Sequence, residues 1–119
     1  MVSRARYVPE RGDLIWLDFD PQAGHEQAGR RPALVLSPKS YHQRSNLAVV
    51  CPVTSKIKGY PFEVPLSGLT KPSAVLADQV RSLDLNARQV KFIAAADADT
   101  VEAVAQLACG LIDPAHSHA

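Results

Sequence analysis

Short apolar runs bounded by proline and glycine fill most of this chain, and only one stretch carries a helical period. That pattern calls for a sheet of brief strands and excludes a helical bundle. Gly12 and Asp13 introduce LIWLDFD, where Leu14, Trp16 and Asp18 alternate with Ile15, Leu17 and Phe19, a strand with little solvent contact. Pro32 opens PALVLSP, which Pro38 closes. KSYHQRS predicts one helical turn, LAVVCPV is the next strand, and FEVPL is an edge strand because Pro65 offers no ladder N–H. AVLADQVRSLDL reads as a strand bent near Asp78, where polarity sets in, and VKFIAAA as another. From Asp99, read as an N-cap with Glu102 at the third helical position, apolar residues recur at Val101, Val104, Ala105, Leu107, Ala108, Leu111 and Ile112. That broad face is expected to pack on the sheet, and Pro114 ends the helix. The expected fold class is α+β, mostly β and antiparallel, as a single domain over residues 1–119 with a C-terminal helix and a frayed tail at 114–119.

A chain of 119 residues has room for one core. No apolar run approaches the ~18 residues of a membrane span, and MVSRARYVPERGD is too polar for a signal peptide, so the expectation is a cytoplasmic protein with no membrane partner. Cys51 and Cys109 stand far apart in the apolar settings AVVCPV and LACGLI, and both read as small buried hydrophobes rather than a disulfide.

The net charge of +1 argues against a polyanion partner, but it conceals an uneven distribution. Residues 1–60 hold nine basic and five acidic side chains, and residues 61–119 hold four and seven. Between Glu26 and Glu63 there is no Asp or Glu, while Arg30, Arg31, Lys39, Arg44, Lys56 and Lys58 are all positive. Such a run fits either a solvated surface or an RNA-binding face.

Candidate chemistry gathers in two polar loops. DPQAGHEQAGRR carries His25, Glu26, Gln27, Arg30 and Arg31, and is long for a connection between strands. The second loop starts at Thr54, Ser55 and Lys56. Arg31 precedes Pro32 at a strand entrance and Thr54 sits at a strand exit, so if strands 32–37 and 47–53 share a sheet, a guanidinium and a hydroxyl converge on one phosphate with the Glu26 carboxylate nearby. The same spacing also fits a surface ion pair and a strand-end threonine. His25 is either a general base or a solvated loop histidine. Tyr41 and Tyr60 lie beside basic residues and can stack bases, whereas Trp16 and Phe19 read as core or subunit-contact residues. No metal or other cofactor is expected, since His25, His42, His116 and His118 have no ligand spacing. Neither cysteine has a polar neighbour, and no serine lies in a nucleophile elbow.

GDLIWLDFDPQAGHEQAGRRPALVLSPKSY, followed by CPVTSKIKGYPFEVPL and AVLADQVRSLD, closely resembles the MazF/PemK (ChpA-type) family of bacterial toxin endoribonucleases. The resemblance covers nearly the whole chain and weakens after about Leu85. It implies an SH3-like barrel of the CcdB/MazF type, a homodimer, and metal-independent cleavage of single-stranded RNA at short motifs to give 2′,3′-cyclic phosphate and 5′-hydroxyl ends. Glu26, Gln27, Gly29, Arg31 and Pro32 match the loop motif E-Q-x-G-x-R-P, and Pro52, Thr54 and Ser55 match the strand-end P-x-T-S motif. Arg31 and Thr54 thereby take the family's catalytic roles, with Glu26 as the loop carboxylate. An Arg is a poor base, so Arg31 is assigned mainly to transition-state charge and to protonating the leaving oxygen, and Glu26 is the more reasonable acceptor of the 2′-hydroxyl proton, with Arg31 as the alternative. The residue before the motif Arg is His in some relatives and Arg30 here, so a scheme using a His at that place does not transfer. His25, Gln27, Arg30, Lys39, Ser55, Lys56 and Lys58 are the candidate RNA-binding residues, and a MazE-like antitoxin with an acidic tail is the implied inhibitor.

Two rivals share the fold. A CcdB-like gyrase poison depends on a Trp-Gly-Ile end, whereas this chain ends in AHSHA with its one Trp at position 16. A non-catalytic nucleic-acid-binding module would keep the basic groove without needing Glu26, Arg31 and Thr54 together.

Overall fold

Three apolar segments that do not alternate with polar ones must be covered on both faces, and they form the centre of the fold. They are β1 (Asp13–Asp18), β2 (Arg30–Val35) and β3 (Leu47–Thr54). The computed structural model describes residues 7–20, Gly24, Gln27 and 29–115. Between β2 and β3 lies the short helix α1 (Lys39–Ser45). After β3 come β4 (Glu63–Leu66), β5 (Ser73–Leu76), β6 (Arg81–Asp84), a 3-10 turn at Leu85–Ala87, β7 (Lys91–Ala95) and helix α2 (Ala98–Ile112). Every strand pair is antiparallel, in the order β4-β5-β3-β2-β1-β7, and β4 with its Pro65 is indeed an edge strand.

One edge of β3 changes partner along its length. Leu47–Val50 pair with β6, whereas Val53 and Thr54 pair with β5, and Pro52, which has no N–H, lies in the interruption. The stretch read as one bent strand is therefore two strands, β5 and β6, separated by a turn at Ala77–Asp78. This change of partner curls the sheet into a half-barrel. Alternate side chains of β1 to β3 then enter two cores. Leu14, Leu34, Cys51 and Val53 pack with Val64, Leu66, Val75, Val101 and Val104, while Ile15, Leu17, Phe19, Ala33, Val35, Ala48 and Val50 pack with Leu83. Each fully buried Leu, Ile, Val or Phe among them contributes about 1.5–3 kcal/mol.

Gly12 sets how closely α2 approaches. Its φ of +93° suits glycine, and a Cβ there would lie 3.3 Å from Val101 Cγ2. Its carbonyl accepts the Ala96 N–H at 2.8 Å, which joins the start of β1 to the entry of the helix.

Three further expectations need correction. Helix α2 begins at Ala98 and its N-cap is Asp97, whose carboxylate accepts the Thr100 N–H at 2.9 Å, so Asp99 lies in the first turn and Glu102 instead accepts from Gln106. The helix buries the stripe Val101, Val104 and Ala108, which ends a turn before the helix does, leaving Leu111 50% and Ile112 78% exposed. Cys109, rotated about 100° from Ala108 on the helix, is exposed, although Cys51 is buried as expected. Of the two residues read as core or subunit-contact residues, Phe19 is in the core, and Trp16, 38% exposed on β1, is left with the subunit-contact reading.

Helix α1 extends through seven residues and closes at Asn46, which adopts the left-handed conformation with its N–H donated to the His42 carbonyl. His42 is buried. Its Nδ1 lies 2.7 Å from the Pro9 carbonyl, which can only accept, so Nδ1 carries the proton and Nε2 accepts from the Ser37 hydroxyl at 2.6 Å. Ser37 Oγ in turn accepts the Val49 N–H at 2.8 Å. This histidine is a hydrogen-bonded core residue.

Candidate RNA-binding groove

The register of β2 against β3 pairs Ala33 with Pro52 and Leu34 with Cys51. Continued two residues, it sets Arg31 opposite Thr54, and opposite residues of an antiparallel pair share a face. Both side chains line one groove of about 650 Å³, within the size range of ligand-binding clefts. Its other walls come from Gly24 and Gln27 of the first loop, from Ser55, Lys56, Lys58, Tyr60, Phe62 and Glu63, and from Leu76, Asp78 and Gln79.

Thr54 is buried, and its Oγ1 accepts the Lys56 N–H at 3.0 Å, so the hydroxyl proton is left to donate. Arg31 is half-buried, and burial holds its guanidinium below the usual arginine range. A lowered pKa makes it a better proton donor than a solvated arginine.

The sequence-predicted residues divide between groups. Gln27, Arg31, Thr54, Ser55, Lys56 and Lys58 converge on the groove. Arg30 does not line it, since neighbouring strand residues point to opposite faces, and its Nη2 donates to the Gln89 carbonyl at 2.7 Å. Lys39 and Arg44 lie on α1, away from the groove, so only part of the acid-free basic run reaches it. His25 and Glu26 lie outside the described residues. Of the two tyrosines, Tyr60 lines the groove with Lys58 Nζ 5.8 Å from its ring centroid, and Tyr41 sits on α1.

Three groove residues with polar side chains were not singled out from sequence as site residues. Glu63 accepts backbone N–H groups from Lys58 (3.0 Å), Gly59 (2.7 Å) and Tyr60 (3.2 Å), which fixes the loop carrying the cation and the ring. Gln79 accepts the Gln27 N–H through Oε1 at 3.0 Å and ties the first loop to the β5–β6 turn. Asp78 is exposed on that turn. The onset of polarity at Asp78 was the one sequence signal for this wall. Among the described residues, no group of three or more His, Cys, Asp and Glu is placed to hold a metal ion, and no helix is long and apolar enough to cross a membrane.

Comparison with known proteins agrees with this fold. Residues 10–111 match the family described as PemK-like, MazF-like toxin of type II toxin-antitoxin system. The endoribonuclease toxin MazF of Escherichia coli K12 is 56% identical over 88 residues, covering 74% of this chain and 78% of that protein. The crystal structure of MazF from Deinococcus radiodurans superposes with a TM-score of 0.85 at 52% identity, covering 90% of this chain and 98% of that one. A chain of a MazE-MazF crystal structure from the same organism gives a TM-score of 0.78 at 45% identity, covering 91% and 98%. The curled antiparallel half-barrel with its C-terminal helix is thus the MazF fold. With the family match spanning most of its length, the chain belongs to the PemK-like, MazF-like toxins of type II toxin-antitoxin systems.

Proposed function

We propose that this protein is a sequence-specific, metal-independent endoribonuclease toxin that cleaves single-stranded RNA in the cytoplasm, acts as a homodimer and is neutralised by a MazE-like antitoxin. The observation that carries the reading is the placement of Arg31 and Thr54 across adjacent strands in a groove that also holds Lys56 and Lys58. The whole chain, 1–119, is taken as one toxin domain.

In the reaction, the ribose 2′-oxygen forms a bond to the adjacent phosphorus as the bond from phosphorus to the 5′-oxygen breaks. Glu26 takes the 2′-hydroxyl proton, and Arg31 stabilises the added negative charge of the phosphorane and supplies a proton to the leaving 5′-oxygen. Thr54 donates to a non-bridging oxygen. The products are a 2′,3′-cyclic phosphate and a 5′-hydroxyl end, and DNA, lacking the 2′-hydroxyl, is not cut. Gln27, Ser55, Lys56 and Lys58 hold the strand within the groove. His25, Arg30 and Lys39 are assigned to RNA flanking the reacting phosphate.

Incubating the purified protein with single-stranded RNA in EDTA tests this. Cleavage to 5′-hydroxyl ends, lost in Arg31→Ala, is expected. Intact RNA, or cleavage that Arg31→Ala leaves unchanged, overturns the reading in favour of a non-catalytic binding module.

A further inference from the structure

The connection between β1 and β2 contributes Gly24 and Gln27 to the groove, yet beyond Phe19 it carries no apolar side chain larger than proline. Without a hydrophobic anchor, hydrogen bonds must set its place. At its neck the Phe19 N–H donates to the Gly29 carbonyl at 2.9 Å and the Asp20 carboxylate accepts the Gly29 N–H at 3.0 Å. Arg88 Nη1 donates to the Asp18 and Asp20 carbonyls at 2.8 and 2.9 Å. Farther out, Gln27 donates its backbone N–H to Gln79 Oε1 at 3.0 Å. That nitrogen belongs to the peptide joining Glu26 to Gln27, and covalent geometry keeps the Glu26 Cα about 2.4 Å from it.

Gln79 is anchored in turn by the sheet. Its N–H donates to the Leu76 carbonyl at 3.1 Å and closes the turn between β5 and β6, both of which pair with β3. Ala74 of β5 lies opposite Thr54, so one hydrogen bond refers the loop to the strand that carries the catalytic hydroxyl. We infer that Gln79 is a positioning residue for RNA cleavage, acting through the Gln27 backbone to hold the loop carboxylate Glu26 in register with Arg31 and Thr54. The inference rests on the endoribonuclease reading above and deepens it by naming a residue that serves the reaction without touching the reacting atoms. Since a backbone N–H only donates, the side chain at position 79 must present an acceptor of glutamine's reach.

The test measures kcat and KM on a single-stranded RNA for wild type, Gln79→Met and Gln79→Glu, with Arg31→Ala as background and circular dichroism to confirm folding. Gln79→Met keeps the length and loses the acceptor, and its kcat should fall about tenfold with KM changed less than about twofold, the signature of an interaction that counts only in the transition state. Gln79→Glu keeps the acceptor and adds a negative charge to the groove, so kcat should stay within about twofold of wild type while KM rises and recovers with added salt. Should Gln79→Met fold poorly, Gln79→Ala, which also lacks the acceptor, carries the same expectation. A wild-type kcat in the variant lacking the acceptor, a loss confined to KM, or an equal loss of kcat in Gln79→Glu would overturn the inference alone. No wild-type cleavage above the Arg31→Ala background would overturn the nuclease reading and this inference with it.

Discussion

Glu63 accepts the Gly59 backbone N–H at 2.7 Å, and through the neighbouring N–H groups of Lys58 and Tyr60 one carboxylate holds three consecutive residues of the groove wall. Glu63→Ala is expected to release this loop and weaken RNA binding by about tenfold, corresponding to about 1.4 kcal/mol, close to one charge-assisted hydrogen bond. Glu63→Gln, which keeps one acceptor oxygen, should recover part of the loss. Fluorescence anisotropy with a labelled, non-cleavable oligonucleotide reads the effect, and equal affinity in all three proteins would refute it.

Thr54 separates the hydroxyl from the side-chain volume. Thr54→Val keeps the shape and loses both the donor to the phosphate and the acceptor for the Lys56 N–H, so cleavage should fall by about 10²- to 10³-fold. Thr54→Ser should retain most of the rate. Single-turnover cleavage, with circular dichroism to confirm folding, distinguishes the two.

The groove cations should show in the salt dependence. Lys56→Ala and Lys58→Ala are each expected to reduce the slope of log K against log salt by about 0.7, the contribution of one phosphate contact to a single strand. Lys71→Ala, on the exposed turn between β4 and β5, should leave the slope unchanged. A slope insensitive to Lys56 and Lys58 would place the backbone elsewhere.

Much of this architecture was legible because the determining signals are local. The apolar runs of β1 to β3 state that both faces are covered, and Arg31 and Thr54 sit at the ends of two such runs, which pair with each other. The rest depends on contacts between distant segments. Nothing in KGYPFE says that Glu63 turns back on its own loop, and the link from Gln79 to Gln27 spans 52 positions. The N-cap assignment failed because Asp97 and Asp99 are chemically alike and only the path out of β7 chooses between them. Cys109 was misplaced because its apolar neighbours belong to a stripe one helical step away.

Core chemistry gives a prediction independent of RNA. His42→Leu removes the acceptor for Ser37 and the donor to Pro9, leaving buried polar atoms unpaired, and should cost about 2 kcal/mol, or lower Tm by about 10 °C. Cleavage at temperatures below the transition should be unaffected, since His42 lies outside the groove.

Burial, with a smaller contribution from Asp78, pushes the Cys51 thiol up to about 12. In the unfolded chain the thiol ionises near 9, so above that pH the unfolded state binds fewer protons than the native state and stability falls as pH rises. The contribution is complete below about pH 9 and is lost progressively towards the folded value. Cys51→Ala should be less stable at pH 7 but decline less steeply between about pH 9 and 11 in urea melts. Parallel declines would show that Cys51 does not drive the alkaline transition.

The change of partner along β3 also bears on how the protein is made. Arg31 and Thr54 are both synthesised within the first half of the chain, yet the far edge of β3 is covered only when β5 and β6 have been translated and docked. Pairings of such long sequence separation form late and slowly. A ribosome-bound or truncated chain ending before residue 73 therefore lacks the strands that frame Thr54 and the turn that carries Asp78 and Gln79. A nascent chain of that length is expected to be inactive, with activity arriving only once the later strands have docked.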